Sequence, residues 1–163
     1  MGNVPNKVKI IDAQAWYQIT SLNGAYNDLS DGVRAYNQLL CELNPGYAAV
    51  TVKQFEAVLR LRHELIVLLC DRVRILGTAQ ASLSFPGCRP KIVISNVALS
   101  KGVNKPQCFV DLVLELERRS LERFRPSRPV RMELQAQALG WSIAAGEAIG
   151  YCINSDEHSV KLL

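Results

Sequence analysis

The sequence predicts an all-α protein, a four-helix up-down bundle with a long basic loop between its third and fourth helices. Two observations predict it: apolar residues recur at helical spacing in four segments, and the 28 residues from 77 to 104 lack that spacing. The chain of 163 residues is 48% apolar and 21% charged, which suits one globular domain with its own core. We therefore expect a single helical-bundle domain over residues 1–163, with an inner loop at 77–104 and a surface tail at 147–163.

The first two helices are predicted from caps, apolar stripes and breakers. Asp12 can cap the first helix, and Gly24 ends it. The second helix begins at Ser30 or Asp31 and stops at the Asn-Pro-Gly sequence of residues 44–46. Their apolar stripes are Ala15, Trp16, Ile19 and Leu22 in the first, and Val33, Tyr36, Leu39, Leu40 and Leu43 in the second.

The third helix is predicted to be the longest. Thr51 caps it, and the apolar run of residues 65–70 continues it to Arg74. Its inward positions are Phe55, Val58, Leu59, Leu65, Leu68 and Leu69. Arg72 and Arg74 suit the negative pole at the end of such a helix.

A fourth helix is predicted from about Pro106 to Phe124, since proline is tolerated in a first helical turn. Pro126 and Pro129 stop it, and a shorter amphipathic segment follows over residues 130–143. The segment 77–104 before it holds several glycines and prolines. Loops of that length in a small domain are usually functional or disordered.

Positive charge is concentrated in one window of the sequence. Residues 72–105 contain six Lys and Arg and no Asp or Glu, whereas the rest of the chain has 13 Lys and Arg against 15 Asp and Glu. A charge excess this local indicates a face that binds a polyanion. A solvated loop whose charges only keep it soluble is the alternative.

The sequence contains little on which catalysis could rest. It has no nucleotide-binding, nucleophile-elbow or zinc-protease motif, and its two histidines and five cysteines are widely spaced. We therefore expect no enzyme activity, no cofactor and no metal site, with Cys88 as the weak candidate nucleophile. No apolar run is long enough for a membrane span. The arginines between Arg118 and Arg131 could bind phosphate or pair with neighbouring glutamates, and we favour ion pairing.

Several segments together resemble the coat proteins of rod-shaped, positive-strand RNA viruses of the tobacco mosaic type, including the tobraviruses and hordeiviruses. The chain is similar to them as a distant member, from about Ala15 to Trp141. The resemblance is carried by Ala15-Trp16, by Arg34 with Leu39-Leu40 and Leu43-Asn44, by Phe55 to Leu59, by Leu68-Leu69 through Asp71, Arg72, Val73, Arg74 and Ile75, and by Met132-Glu133 with Trp141.

The resemblance implies a capsid protein that assembles into a helical rod or rings around single-stranded genomic RNA, located in the virion and the host cytoplasm. The RNA-binding residues it implies are Arg72, Arg74, Lys101 and Lys105, to which the basic window adds Arg89 and Lys91. It also implies a buried ion pair of Asp111 with Arg72 or Arg74, and a structural core cluster of Trp16, Phe55, Phe124 and Trp141. The alternative is a cellular helical-bundle adaptor with a basic docking loop, which would not polymerise.

Overall fold

The protein is an α/β structure built on one seven-stranded sheet, and the predicted all-α bundle is wrong. The computed structural model describes residues 8–22, 26–72, 74–86, 89–135, 140–153 and 159–163. In chain order its elements are β1 (Val8–Asp12), α1 (Ala13–Leu22), α2 (Tyr26–Leu43), α3 (Val52–Leu59), β2 (Glu64–Asp71), β3 (Arg74–Ser84), β4 (Lys91–Leu99), α4 (Lys105–Phe124), β5 (Arg131–Leu134), α5 (Gly140–Ala148), β6 (Cys152–Ile153) and β7 (Ser159–Leu162).

The strands lie in the order β1-β2-β3-β4-β5-β7-β6. Strands β4 and β5 pair in parallel, and the other neighbours are antiparallel. Helix α4 makes the crossover between the two parallel strands, because such strands cannot be joined by a tight turn. Helices α1, α2 and α3 cover one face of the sheet, and α4 and α5 lie on the other.

The apolar run that was assigned to the third helix forms strand β2 instead. Leu65, Val67 and Leu69 pack in the core beneath α4, whereas the alternate residues of β2 pack beneath α1, α2 and α3. Because both faces are covered, the strand shows no polar alternation and reads as a continuous apolar segment. The third helix is therefore much shorter than predicted: α3 ends at Leu59, although Thr51 caps it through a capping box with Gln54.

The predicted inner loop at 77–104 is also wrong, because β3 and β4 occupy most of it. Ala79, Ala81 and Leu83 of β3 enter the core beneath α4, whereas Gln80 and Ser82 point to the other face. The predicted surface tail at 147–163 contains β6 and β7. Its Tyr151 is 1% exposed and belongs to the core beneath α4, whereas Cys152 is exposed.

Three helices lie where the apolar spacing predicts them. Helices α1 and α2 end at Leu22 and Leu43, before the predicted breakers, and α4 begins at Lys105 beside the predicted proline. Asn104 caps α4 by accepting a hydrogen bond from the backbone N–H of Gln107 at 3.3 Å. None of the helices in the described ranges is long and apolar enough to cross a membrane.

The predicted core cluster is divided between the two faces of the sheet. Trp16 and Phe55 are 2% and 1% exposed and pack edge to face beneath α1, α2 and α3, with ring centroids 6.1 Å apart. Phe124 packs against the core on the opposite face. The side chain of Trp141 lies outside the described residues. The sheet therefore separates residues that a bundle would have gathered at one end.

Helix α2 touches α1 most closely at Gly32. A Cβ atom at this position would overlap the indole ring of Trp16. Gly32→Ala should lower the free energy of unfolding by about 1 to 2 kcal/mol, because the overlap outweighs the roughly 1 kcal/mol that alanine adds to a helix interior. Chemical denaturation measures the change, and Gly46→Ala is the control, since the nearest atom to its Cβ is 3.5 Å away. Equal losses in both variants would contradict this packing.

Arg119 of α4 connects this helix to the edge strand β1 through hydrogen bonds and an ion pair. Its guanidinium donates to a carboxylate oxygen of Asp12 at 2.5 Å, to the carbonyl of Ile10 at 2.9 Å and to Glu115 at 2.8 Å. Hydrogen bonds from Arg118 and Arg119 lower the pKa of the Glu115 carboxyl to about 2. One arginine thus holds two elements that are far apart in sequence.

The stabilisation from Glu115 should depend on pH. Because its pKa is lower in the folded protein than in the unfolded chain, the contribution is present above about pH 4.5 and is lost as the pH falls toward 2. Glu115→Gln should flatten the fall of the unfolding free energy over this range, measured by urea denaturation at successive pH values. Glu42→Gln, on an exposed position of α2, should leave the slope unchanged. An unaltered slope in Glu115→Gln would contradict the assignment.

Candidate functional site

The parallel strands β4 and β5 separate in the middle of the sheet. They are paired from Lys91 and Arg131 to Ile94 and Leu134, and the backbone N–H of Gln135 then donates to the carbonyl of Ile94 at 2.8 Å. Beyond this point, no strand in the described ranges pairs with the β5-facing edge of residues 95–99. Backbone groups on such an edge still need hydrogen-bond partners, and an extended ligand with amide groups can supply them. We refer to this gap as the opening.

A β-bulge in β4 lies directly beside the opening. Asn96 has a φ of 54°, and β4 carries one more residue than β3 between the pairs Gln80 with Ser95 and Thr78 with Ala98. The extra residue reverses which side chains face α4. Before the bulge Ile92 and Ile94 enter the core beneath α4, and after it Val97 and Leu99 pack against that core. The bulge thereby turns the strand at the place where its partner leaves.

The amino end of α4 lies just beyond the open end of β4. Asn104 caps the 20-residue helix, whose first backbone N–H groups point back along the helix axis. Lys101 and Lys105 are exposed on either side of the cap, and a side chain at Gly102 would meet nothing within 4 Å. Helix polarity and two lysines together favour an anionic group at this end of the opening.

A chain of polar side chains leads from the bulge across the face that α1, α2 and α3 only partly cover. The amide of Asn96 donates to the Gln80 side-chain oxygen at 3.2 Å, and the Gln80 amide donates to Oε2 of Glu64 at 2.8 Å. The Ser82 hydroxyl donates to the same Oε2 at 2.5 Å. Glu64 is half-buried at the start of β2. The chain therefore ends on a carboxylate two strands away from the opening.

Glu64 has no cationic partner within 4.0 Å among the described residues. By contrast, Glu133 in the same cross-strand row lies 3.2 Å from the ammonium of Lys91. A half-buried carboxylate is usually paired, because removing its charge from water is unfavourable. The side-chain hydrogen bonds from Gln80 and Ser82 both reach Oε2 of Glu64, and no side-chain donor among the described residues reaches Oε1.

The predicted RNA-binding residues do not form one surface. Lys101 and Lys105 lie on either side of the cap of α4, and Lys101 also lines a cavity with Leu39 of α2 and Ile75 of β3, whereas Arg89 and Lys91 lie at the other end of β4. Arg72 and Arg74 are exposed in and beside the turn between β2 and β3. Arg74 lines one cavity together with Gly102 and Asn104, so the window of positive charge is divided between the two ends of the sheet.

The buried ion pair predicted for Asp111 is not present among the described residues. Asp111 is exposed and accepts a hydrogen bond from Gln107 at 2.9 Å, and no ion pair joins it to Arg72 or Arg74. Cys88 lies outside the described residues. Within the described ranges, no cluster of three or more His, Cys, Asp and Glu could hold a metal ion.

Sequence reasoning missed Glu64, Gln80, Ser82 and Asn96. Their signal was weak but present. In β3 the polar residues at 80 and 82 alternate with Ala79, Ala81 and Leu83, which is the period of a half-covered strand. Small residues such as alanine made that alternation easy to overlook.

No family model and no curated protein matches this sequence. Solved structures do match its fold. Glucosamine-6-phosphate N-acetyltransferase from Arabidopsis thaliana aligns over 91% of this chain and 94% of its own, with a TM-score of 0.66 and 15% identity. An aminoglycoside acetyltransferase from an uncultured soil metagenomic sample aligns over 91% of this chain and 90% of its own, with a TM-score of 0.65 and 12% identity. A transcriptional regulator from Bacillus halodurans aligns over 89% of this chain and 93% of its own, with a TM-score of 0.64 and 14% identity.

The chain thus has the fold of the GCN5-related N-acetyltransferases, the GNAT fold, and the resemblance to viral coat proteins is wrong. The predictions that depended on it are wrong as well: a capsid subunit, a single-stranded RNA partner in a helical polymer, and a place in the virion. The rival helical-bundle adaptor is also wrong, and the expectation of no enzyme activity is contradicted by the acetyltransferases among the matching structures. The physical reason is the central sheet, which neither a coat-protein bundle nor a helical adaptor contains.

Proposed function

We propose that this protein is an acyltransferase that moves an acyl group, such as acetyl, from a coenzyme A thioester to an amine. The observation that carries the proposal is the opening between β4 and β5, with a free strand edge along one side and the amino end of α4 at its head. Support comes from the fold, which is shared with structures titled as acetyltransferases.

The opening suits the donor chemically. Coenzyme A carries its acyl group on an extended arm with amide groups, and the other end of the molecule bears phosphates. The amides can pair with the free backbone edge of residues 95–99 as an added strand would. The phosphates can accept hydrogen bonds from the first N–H groups of α4 and meet Lys101 and Lys105. The thioester would then lie near the bulge at Asn96.

The acceptor approaches from the face that carries the polar chain. A neutral amine attacks the thioester carbonyl, a C–N bond forms, and the C–S bond breaks with release of the thiol. The proton that the amine loses passes to Glu64, directly or through water, and the departing thiolate takes a proton from solvent. Glu64 suits this role because it is a carboxylate with one oxygen held by Ser82 and Gln80 and the other available.

Donor binding should depend on the two lysines at the head of the opening. The double variant Lys101→Ala, Lys105→Ala should weaken acetyl-coenzyme A binding about tenfold or more, because two charge-assisted phosphate contacts are lost. Isothermal titration calorimetry measures this change. Arg34→Ala with Lys53→Ala removes the same charge from exposed positions of α2 and α3 and should change the dissociation constant less than about twofold. Unchanged binding in the first variant would contradict the proposed donor site.

Glu64 should matter for turnover but not for donor binding. Glu64→Gln keeps the size of the side chain, and we expect kcat/KM toward amines to fall about a hundredfold, as the loss of a general base typically causes. Acetylated product should be measured by mass spectrometry, because the exposed Cys41 and Cys152 would react with thiol reagents. Glu42→Gln is the matched control on an exposed site. If Glu64→Gln keeps full activity toward every amine that the native protein acetylates, Glu64 is not the proton acceptor.

A further inference from the structure

The end of the sheet opposite the opening is strongly basic. Three chain connections meet there, described at residues 60–63, 84–86 with 89–91, and 122–131, since Ser84, Lys91 and Arg131 are cross-strand neighbours in β3, β4 and β5. These connections contain eight Lys and Arg and one Glu, whereas the rest of the chain has 11 Lys and Arg against 14 Asp and Glu. The positive net charge of the protein therefore comes entirely from this end, which we call the basic end.

Most of the arginines at the basic end are not neutralised. Arg62, Arg89, Arg125 and Arg128 are exposed, and none has an ion pair among the described residues. The remaining cations there are partly engaged: Arg60 lies 2.5 Å from Glu56, Lys91 lies 3.2 Å from Glu133, and Arg131 lies 4.0 Å from the same carboxylate.

The preceding turns of α4 show the opposite behaviour. Arg118 and Arg119 are paired with Glu115, and Arg118 is also 2.8 Å from Glu122. Ion pairing thus accounts for Arg118 and Arg119 at the start of the predicted arginine cluster but leaves Arg125 and Arg128 without acidic partners among the described residues. The basic end is a surface that an anionic partner can neutralise.

Apolar side chains lie among these arginines. Leu61 and Phe85 are 51% and 56% exposed, and the ring of His63 contacts that of Phe85 with centroids 6.2 Å apart. The guanidinium of Arg123 donates to the carbonyl of Leu61 at 3.2 Å, which joins the end of α4 to the same place. A single exposed leucine or phenylalanine needs no explanation. Two exposed apolar side chains on connections that also carry exposed arginines have the composition of a protein interface.

We propose that the basic end docks an acidic polypeptide segment that carries apolar side chains. The charge complementarity is direct, since Arg62, Arg89, Arg125 and Arg128 have no acidic partners among the described residues. A polypeptide fits better than a nucleic acid because both Leu61 and Phe85 can pack against leucine or phenylalanine of a partner, whereas a base could stack on Phe85 but not on the aliphatic Leu61. This surface is separate from the proposed donor site, although Glu64 directly follows its connection at residues 60–63. Strand β4 has nine residues, so the basic end lies about 30 Å from the head of the opening, and a docked segment leaves the donor site free.

The proposal can be tested with a synthetic probe. A fluorescent twelve-residue peptide of Glu, with Phe or Leu at every third or fourth position, is titrated with the full-length protein and followed by fluorescence anisotropy. We expect saturable binding that weakens with salt, and at least about tenfold weaker binding of the same peptide with Gln in place of Glu. Absence of binding by the acidic peptide at low salt would overturn the proposal.

Variants separate a specific surface from net charge. Arg62→Ala with Arg125→Ala should weaken peptide binding at least about fivefold, and Arg34→Ala with Lys53→Ala, which removes the same charge elsewhere, less than about twofold. Leu61→Ser with Phe85→Ser should also weaken it about fivefold without changing the circular dichroism spectrum, because both side chains are exposed. Equal losses in the two charge variants would overturn the proposal. So would tighter binding of a single-stranded polyuridylate that is unaffected by Leu61→Ser with Phe85→Ser, since this result would assign the surface to nucleic acid.

Discussion

The loss of pairing between β4 and β5 is the constraint on which the rest of the site depends. Two parallel strands need a crossover, and α4 supplies it with 20 residues, or about 30 Å of helix. The nine residues of β4 span about the same length. The helix therefore begins where β4 ends and returns the chain to the start of β5. Because of this match, the positive pole of α4 must lie at the same end of the sheet as the free edge of residues 95–99.

The distribution of carboxylates separates structural ion pairs from a group available for chemistry. Glu117 is 4% exposed, and burial raises the pKa of its carboxyl while the bond from Lys161 at 2.8 Å opposes the rise. That pair joins β7 to α4. Glu133 forms a comparable ion pair with Lys91, whose ammonium lies 3.2 Å from its carboxylate. Glu64 has neutral donors on one oxygen and no cation among the described residues, which distinguishes it from Glu117 and Glu133.

The sequence predicted local helices well and the sheet poorly, for a physical reason. Caps, breakers and one-sided apolar stripes are local signals, so α1, α2 and α4 were predicted near their observed positions. Strand β2 is apolar at every position from 65 to 70 because helices cover both faces, and such a run does not differ from a buried helix until its partners are known. In β4 the bulge at Asn96 breaks the alternation halfway along the strand. The carboxylate of Glu64 can be recognised as part of a polar site only once the pairing of β2 with β3 is known, because that pairing brings Ser82 and Gln80 beside it.

Basic residues that form one window in the sequence can be separated in space when a strand runs between them. Residues 72–105 form one basic window in the sequence. The nine residues of β4 span about 30 Å, so they separate Arg89 and Lys91 at its start from Lys101 and Lys105 beyond its end. The two lysines at the opening stand beside a helix amino end, where a compact phosphate group can be bound from several directions. At the other end, Arg89 lies on a connection that strand pairing brings to the same end of the sheet as the connection with Arg125 and Arg128. Exposed charges on several connections suit an extended acidic chain better than one compact anion. Under the two proposals, the topology of the sheet therefore divides one basic window of the sequence between two kinds of partner.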